Sequence, residues 1–282
     1  MSNGEVRALD RQLLEELTTI ISAASAAILA ARAGALDVRA KADHSPVTAA
    51  DHAAEEVVLA GLARVLPGTC VVSEEATGRS PPAGLPSSFL LVDPLDGTRE
   101  LVAGRDEFTV NVALVSAGRP RLGLIAAPAQ RLIWRGIEGR GAERLLLEPG
   151  APATRARERV AIRTRPFPHA APKAAVSRSH LDQRTEAFLA RLPAAERLSC
   201  GSAIKFCRIA EGSVDVYPRL STTCEWDVAA GHALLVAAGG TVVTPTGAGL
   251  RYGEAAAHFR IPAFVAWGDP DAAAKLGAAL RS

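Results

Sequence analysis

Two aspartates three residues apart, Asp93 and Asp96, enclose Pro94-Leu95 and are followed by Gly97-Thr98. The apolar run at 89–92 just before them predicts a buried strand that ends on Asp93-Pro94, with the second aspartate one turn later. Carboxylates held this close repel unless something cationic sits between them. A hard divalent ion bound by several oxygens is the usual remedy. The Asp-Gly-Thr that follows would also expose backbone N–H groups to a phosphate oxygen if Thr98 begins a helix. The same residues read equally as an Asp-Pro turn followed by an Asp-Gly turn.

Three further acids change that balance. Glu74-Glu75 follows the short apolar strand Val71-Val72, where an exposed loop tip would be the plain reading. Asp227 would serve as the N-cap of the helix after it, and Asp51 as the acid of a Thr48-x-x-Asp51 capping box. Each explanation suffices alone. Together, every acid falls at a strand end or a helix start, where the active sites of layered α/β structures collect. Two metals on shared carboxylates would suit in-line phosphoryl transfer.

Such a site needs rigid supports. The tract 17–31, with Leu14, Leu17, Ile21, Ala24 and Ile28 on one stripe, predicts a soluble helix too short and too weakly hydrophobic to span a bilayer. Thr48 opens a second helix that carries Asp51 and buries Ala54, Val58, Leu62 and Val65, and Pro67-Gly68 stops it. Residues 108–115 alternate, with Phe108, Val110, Val112 and Leu114 on one face, and 122–126 and 132–134 continue the meander. The stretch 148–172 is rich in Pro, Ala and Arg and lacks a period. It is read as the boundary between an N-terminal α+β subdomain (1–160) and a C-terminal α/β subdomain (161–282) carrying Asp227. The second part shows strands at 174–176 and 214–217, a helix near 183–191, another from Ser202 to Gly212, and one opened by Asp227. Helix pairs mixed with antiparallel meanders indicate α+β layers.

Composition narrows the function classes. Of 282 residues, 48% are hydrophobic and 22% charged, which excludes a disordered chain. Lys plus Arg number 32 against 30 acids, so no bulk field draws nucleic acid or an anionic membrane, and an anionic substrate must meet a focused site. The four cysteines form no CxxC pair and read as reduced thiols of a cytoplasmic protein, loose attachment at the inner membrane being left open. The N-terminus has no basic-then-apolar progression of a secretory signal.

Taken in order, Lys41-x-Asp43-x-Ser-Pro-Val-Thr48-x-Ala-Asp51, Ser73-Glu74-Glu75, Val92-Asp-Pro-Leu-Asp-Gly-Thr98 and Glu225-Trp-Asp227-x-Ala-Ala-Gly231 resemble the inositol monophosphatase superfamily over nearly the whole chain. Within it the chain is most similar to the bacterial CysQ-type 3′(2′),5′-bisphosphate nucleotidases. That similarity lies in Glu107-Phe-Thr-Val-Asn-Val112, Ser177-Arg-Ser-His180, Gly201-Ser-Ala-Ile-Lys205-Phe-Cys207 and Asp215-Val-Tyr-Pro-Arg219-Leu. The resemblance implies a layered α/β/α/β/α sugar-phosphatase-like fold and lithium-sensitive, magnesium-dependent removal of the 3′-phosphate of adenosine 3′,5′-bisphosphate, a by-product of sulfur metabolism. It implies two or three magnesium ions on Glu74, Asp93, the Leu95 carbonyl, Asp96 and Asp227, with Asp51 and Thr98 orienting and deprotonating the attacking water. Substrate contacts are implied at His180, Ser202, Lys205 and Arg219, and at Glu74, Leu95, Asp96, Gly97, Thr98 and Asp227. A second phosphate asks for such cations. Thr222-Thr223-Cys224 departs from the pattern, standing where a Pro and a Met or Asn are expected. The alternative is an inositol-1-phosphate or other sugar phosphatase on the same scaffold, and the oligomer is left open between monomer and homodimer.

Other motifs fall away. Ser202-Ala-Ile-Lys205 fits S-x-x-K, but the S-D-N and K-T-G partners of serine hydrolases are missing, leaving a substrate contact or a Ser cap beside a surface Lys. No G-K-[ST], H-E-x-x-H or G-x-S-x-G occurs. Arg155, Arg157 and Arg159 read as a solvated linker, since no aromatics accompany them to stack on bases.

Overall fold

Leu17, Ile21, Ala24 and Ile28 recur at helical spacing and are fully buried along α1 (Arg11–Ala33). The computed structural model describes residues 11–34, 36–40, 46–77, 84–168, 170–179, 181–192 and 194–279. At 23 residues, α1 is longer than its apolar core suggested, and by length and composition it would suffice to cross a membrane. Here its apolar stripe packs on α2 (Ala49–Val65) and on the sheet beneath. Before α2, β1 (Arg39–Ala40) and β2 (Pro46–Val47) form a short antiparallel ladder. Lys41 and Asp43 lie outside the described residues.

Seven strands then pair in chain order: β3 (Val71–Ser73), β4 (Ser88–Asp96), β5 (Thr109–Ser116), β6 (Arg119–Ala127), β7 (Leu132–Ile137), β8 (Gly141–Leu146) and β9 (Glu158–Ile162). Only β3 and β4 run parallel. Two short helices interrupt them, α3 (Glu74–Thr77) after β3 and α4 (Thr98–Val102) after β4. Alternation in β5 had suggested one core face; both are buried. Val110, Val112 and Leu114 pack toward α1 and α2, while Ala113 and Val115 join the core on the other side.

The stretch read as an aperiodic linker holds β9, whose mostly exposed residues carry no alternating signal because it is an edge strand. Two members of its basic run are paired, Arg159 with Glu15 of α1 and Arg157 with Glu148. Beyond it come β10 (Lys173–Ser177), α5 (Gln183–Ala190), β11 (Glu196–Cys200), α6 (Ile204–Ala210), β12 (Val216–Arg219), β13 (Thr223–Cys224), α7 (Glu225–Ala237), β14 (Thr241–Val243), β15 (Arg260–Ile261), β16 (Phe264–Trp267) and α8 (Pro270–Ala279). Five of these strands make a second sheet ordered β11-β10-β12-β16-β14, and β13 pairs with β15 apart from it.

Three apolar clusters hold the layers. One joins α1 and α2 to the first sheet. The next joins both sheets through α6 and α7, and the last joins the second sheet to α5 and α8. The order is therefore α/β/α/β/α, as the sequence reading had it. The central layer is tight: a Cβ on Gly123 of β6 would sit 2.2 Å from the Ala230 carbonyl of α7, and one on Gly231 would sit 2.3 Å from the Phe206 ring of α6. Only glycine permits that approach.

Candidate active site

The strand β4 does not stop at Asp93. It continues to Asp96 through a bulge, with Asp93 opposite Asn111 and Asp96 opposite Thr109. Three steps on β4 thus match two on β5. In a regular strand residues three apart face opposite ways, but the extra residue returns Asp96 to the side of Asp93. Pro94, unable to donate to the ladder, occupies the irregular stretch.

Around this pair the chain gathers its other acids. Ligand oxygens of Glu74, Asp93 and Asp227 lie within 4.8 Å of one another. Glu74 is the first residue of α3, the short helix that replaces the loop expected there. Asp227 sits on the third residue of α7, which begins at Glu225 and not at Asp227. Its Oδ2 accepts from the Cys224 amide at 3.1 Å and from the Thr223 hydroxyl. Asp93 is 1% exposed, and its Oδ1 accepts the Leu95 amide at 3.0 Å. Glu225, fully buried, instead anchors the chain by accepting the Gly253 and Glu254 amides.

Burial and the charges of Glu74, Asp96 and Asp227 push the Asp93 carboxyl well above its ordinary value. Burial and Asp227 push Asp96 up to about 7, against the pull of Lys205 and Arg219. Hard oxygen donors in mutual repulsion fit a divalent cation of the magnesium or calcium kind. The Cys224 thiol on the wall does not compete as a soft ligand, because burial and Asp227 push it up to about 12.

A stability test follows from the sign of these shifts. Folded carboxyls with raised values bind protons that the unfolded chain releases, so the contribution of these acids to metal-free stability is fully present below about pH 4 and is lost as pH rises through about 7. Thermal unfolding in chelator is expected to shift downward between about pH 5 and pH 8, and added magnesium should remove that slope. A midpoint that is flat or rising in chelator would contradict the clustered acids.

Beside the cluster, Thr98 donates its hydroxyl to Asp51 Oδ1 at 2.9 Å, and Asp51 Oδ2 accepts the Thr48 hydroxyl and amide at 2.7 and 2.8 Å. Asp51 is therefore both the capping acid and the partner of Thr98. Gly97 precedes α4 at φ 95°, a conformation only glycine adopts freely.

The cleft has a volume of about 310 Å³, and its opposite wall comes from the C-terminal half. Ser202 is not a helix start: it has φ 46°, and α6 begins at Ile204. Its hydroxyl lies 2.9 Å from that of Thr109, which donates to Asn111 Oδ1 at 2.9 Å. Lys205 is no surface lysine. It is 3% exposed and donates to the Cys200 and Ser202 carbonyls, its ammonium 5.3 Å from the Tyr217 ring centroid. Arg219 lines the cleft with its Nε buried and unbonded among the described residues. His180 lies outside the described residues.

Several supporting residues escaped the sequence reading. Glu55 accepts the Ser73 hydroxyl at 2.5 Å and the Ala76 amide at 3.0 Å. Its spacing four residues after Asp51, on the same buried helix face, was the available signal. Glu100 accepts from Ser179 at 2.6 Å and Glu107 from the Gly201 amide at 3.0 Å, tying the two walls together. Partners more than 70 residues away leave no local trace.

Residues 9–276 match the model of the inositol monophosphatase family. The chain is 39% identical over 247 residues to the 3′(2′),5′-bisphosphate nucleotidase CysQ of Salmonella typhimurium, covering 85% of this chain and 94% of that one. The crystal structure of CysQ from Bacteroides thetaiotaomicron superposes with a TM-score of 0.73 at 32% identity, covering 92% and 97% of the two chains. An inositol monophosphatase from Zymomonas mobilis shares the fold, with a TM-score of 0.75 at 24% identity and coverage of 98% and 100%.

Proposed function

The chain belongs to the inositol monophosphatase family, and on that premise we propose that it is a 3′(2′),5′-bisphosphate nucleotidase releasing phosphate and AMP from adenosine 3′,5′-bisphosphate. One observation carries the choice of substrate. The cleft that gathers Glu74, Asp93 and Asp227 also holds Arg219, whose buried Nε has no partner in the described protein. A buried guanidinium donor left open is costly unless a ligand meets it, and a phosphate that is not cleaved is such a ligand. An inositol monophosphate has no second phosphate to offer.

Glu74, Asp93, the Leu95 carbonyl, Asp96 and Asp227 would hold two or three magnesium ions. When bound, magnesium neutralises phosphate charge and acidifies water. The Thr98 hydroxyl, donating to Asp51, keeps its lone pairs for a hydrogen of the attacking water. As that water attacks phosphorus, the bond from phosphorus to the ribose 3′-oxygen breaks, Thr98 Oγ1 takes the water's proton and passes its own to Asp51 Oδ1, and the departing 3′-oxygen takes a proton from solvent water. The Gly97 and Thr98 backbone lines the reacting phosphate. Ser202 and Arg219 face the rest of the nucleotide, and His180 joins them by its place in the Ser177–His180 motif. Lys205, with two of its three donors on carbonyls, supplies positive charge that favours the anionic form of Asp96. We divide the chain into subdomains 1–160 and 161–282, a boundary that falls within the edge strand β9, and the free thiols of Cys70, Cys200, Cys207 and Cys224 suit the cytoplasm.

Phosphate release should be followed from adenosine 3′,5′-bisphosphate, adenosine 3′-monophosphate, inositol 1-phosphate and fructose bisphosphate, with and without magnesium. The bisphosphate nucleotide is expected to have the highest kcat/KM, and turnover should require the metal. Arg219→Ala should lower kcat/KM for that substrate by roughly tenfold to a hundredfold, the scale of one charge-assisted contact, while sparing the 3′-monophosphate. Faster release from inositol 1-phosphate would overturn the assignment.

A further inference from the structure

Glu55 is a carboxylate 7% exposed, one helical turn after Asp51 on the inner face of α2. It lies one turn from Asp51 and bonds Ser73 and Ala76, on either side of Glu74. Another anion there is unfavourable unless it does something a neutral side chain would not.

Its partners indicate what that is. The helix α3 has only four residues, Glu74–Thr77, so nearly all its backbone groups lack intrahelical partners. Ser73 stands at the position from which a serine ordinarily caps a helix by accepting the amide two or three residues on. Here the Ser73 hydroxyl donates to Glu55 Oε1 at 2.5 Å, and the same oxygen accepts the Ala76 amide at 3.0 Å. The cap of α3 is thus supplied from α2, in place of the serine's own oxygen. A 2.5 Å O–H···O contact has the length of a charge-assisted bond, which explains an acid where glutamine would offer the same acceptor.

We propose that Glu55 is a positioning residue that sets the first turn of α3, and with it the direction of Glu74, relative to Asp51 on the same helix. One rigid face then fixes the general base through Asp51 and one metal ligand through Glu55. The inference rests on the reading of Glu74 as a metal ligand.

The test is thermal unfolding of the full chain titrated with magnesium, which reports metal binding without turnover. Glu55→Ala is expected to raise the half-saturating magnesium concentration about tenfold, equivalent to about 1.4 kcal/mol. Glu55→Gln keeps the one oxygen that accepts both bonds but not the charge, and should fall between Glu55→Ala and the unaltered protein. Val58→Ala, next on the same buried face but not bonded to α3, should lower the melting temperature and leave the half-saturation unchanged. A half-saturation for Glu55→Ala within twofold of the unaltered protein, or a rise equally large in Val58→Ala, overturns the proposal. Should Glu55→Ala fail to fold, Glu55→Gln decides: a rise above about threefold supports it and a smaller one overturns it. Glu74→Gln separates the two readings. If it responds to magnesium like the unaltered protein, the ligand assignment has failed. If it loses the response while Glu55→Ala keeps it, only the positioning role has failed.

Discussion

Asp96→Asn is expected to abolish measurable turnover while leaving the protein folded and no less stable in chelator above about pH 7. Activity should fall by at least a hundredfold to a thousandfold, the scale on which a single electrostatic stabiliser acts. Stability should move the other way, because the substitution removes one member of a repelling set. Burial and Asp227 already push Asp96 up to about 7, so its charged form is what the metal-free fold resists. Activity and thermal unfolding measured on one preparation check both halves. Turnover near that of the unaltered protein with magnesium present would remove Asp96 from the metal site. A large loss of stability would instead make it a packing residue.

Thr98→Ala comes next in expected size. The hydroxyl lies 2.9 Å from Asp51 Oδ1, and removing it takes away the atom proposed to receive the proton of water. A rate loss of roughly 10²–10⁴-fold is expected, the usual contribution of a positioned proton acceptor. The magnesium-dependent rise in melting temperature should persist, since Thr98 is not among the gathered carboxylates. Thr98→Ser keeps the oxygen and should retain much more activity. Equal rates in the two variants would exclude the hydroxyl from the reaction.

The mixture of helices and meanders was legible because helix stripes and strand alternation leave periodic signatures, whereas the order of the layers came from the family resemblance. Leu17, Ile21, Ala24 and Ile28 did turn inward together. The edge strand β9 was missed because its residues are mostly exposed and carry no alternation. In the site, Glu74, Asp93, Asp96 and Asp227 were identified, yet the reason they suit one another was not. The sequence spacing of Asp93 and Asp96 suggested a turn, whereas a bulge against Thr109 and Asn111 brings both to one side of a continuing strand. A bulge depends on the partner strand and has no reliable local sign. Lys205 illustrates the same limit. A lysine three residues into a helix expected to start at Ser202 reads as exposed, and only the placement of the Cys200 and Ser202 carbonyls reveals why it is buried.

The glycine contacts in the central layer bear on redesign. With Gly123 against the Ala230 carbonyl and Gly231 against the Phe206 ring, α7 is wedged between β6 and α6 with no room for a methyl group. Asp227 stands on the first turn of that wedged helix. A side chain at Gly123 must push on the α7 backbone, and one at Gly231 must part α7 from the Phe206 ring, so either disturbs the helix that carries Asp227. Arg219 comes from β12 and touches neither glycine. A library aimed at new substrates can therefore vary Arg219 while treating two buried glycines, neither of them in the cleft, as untouchable parts of the catalyst.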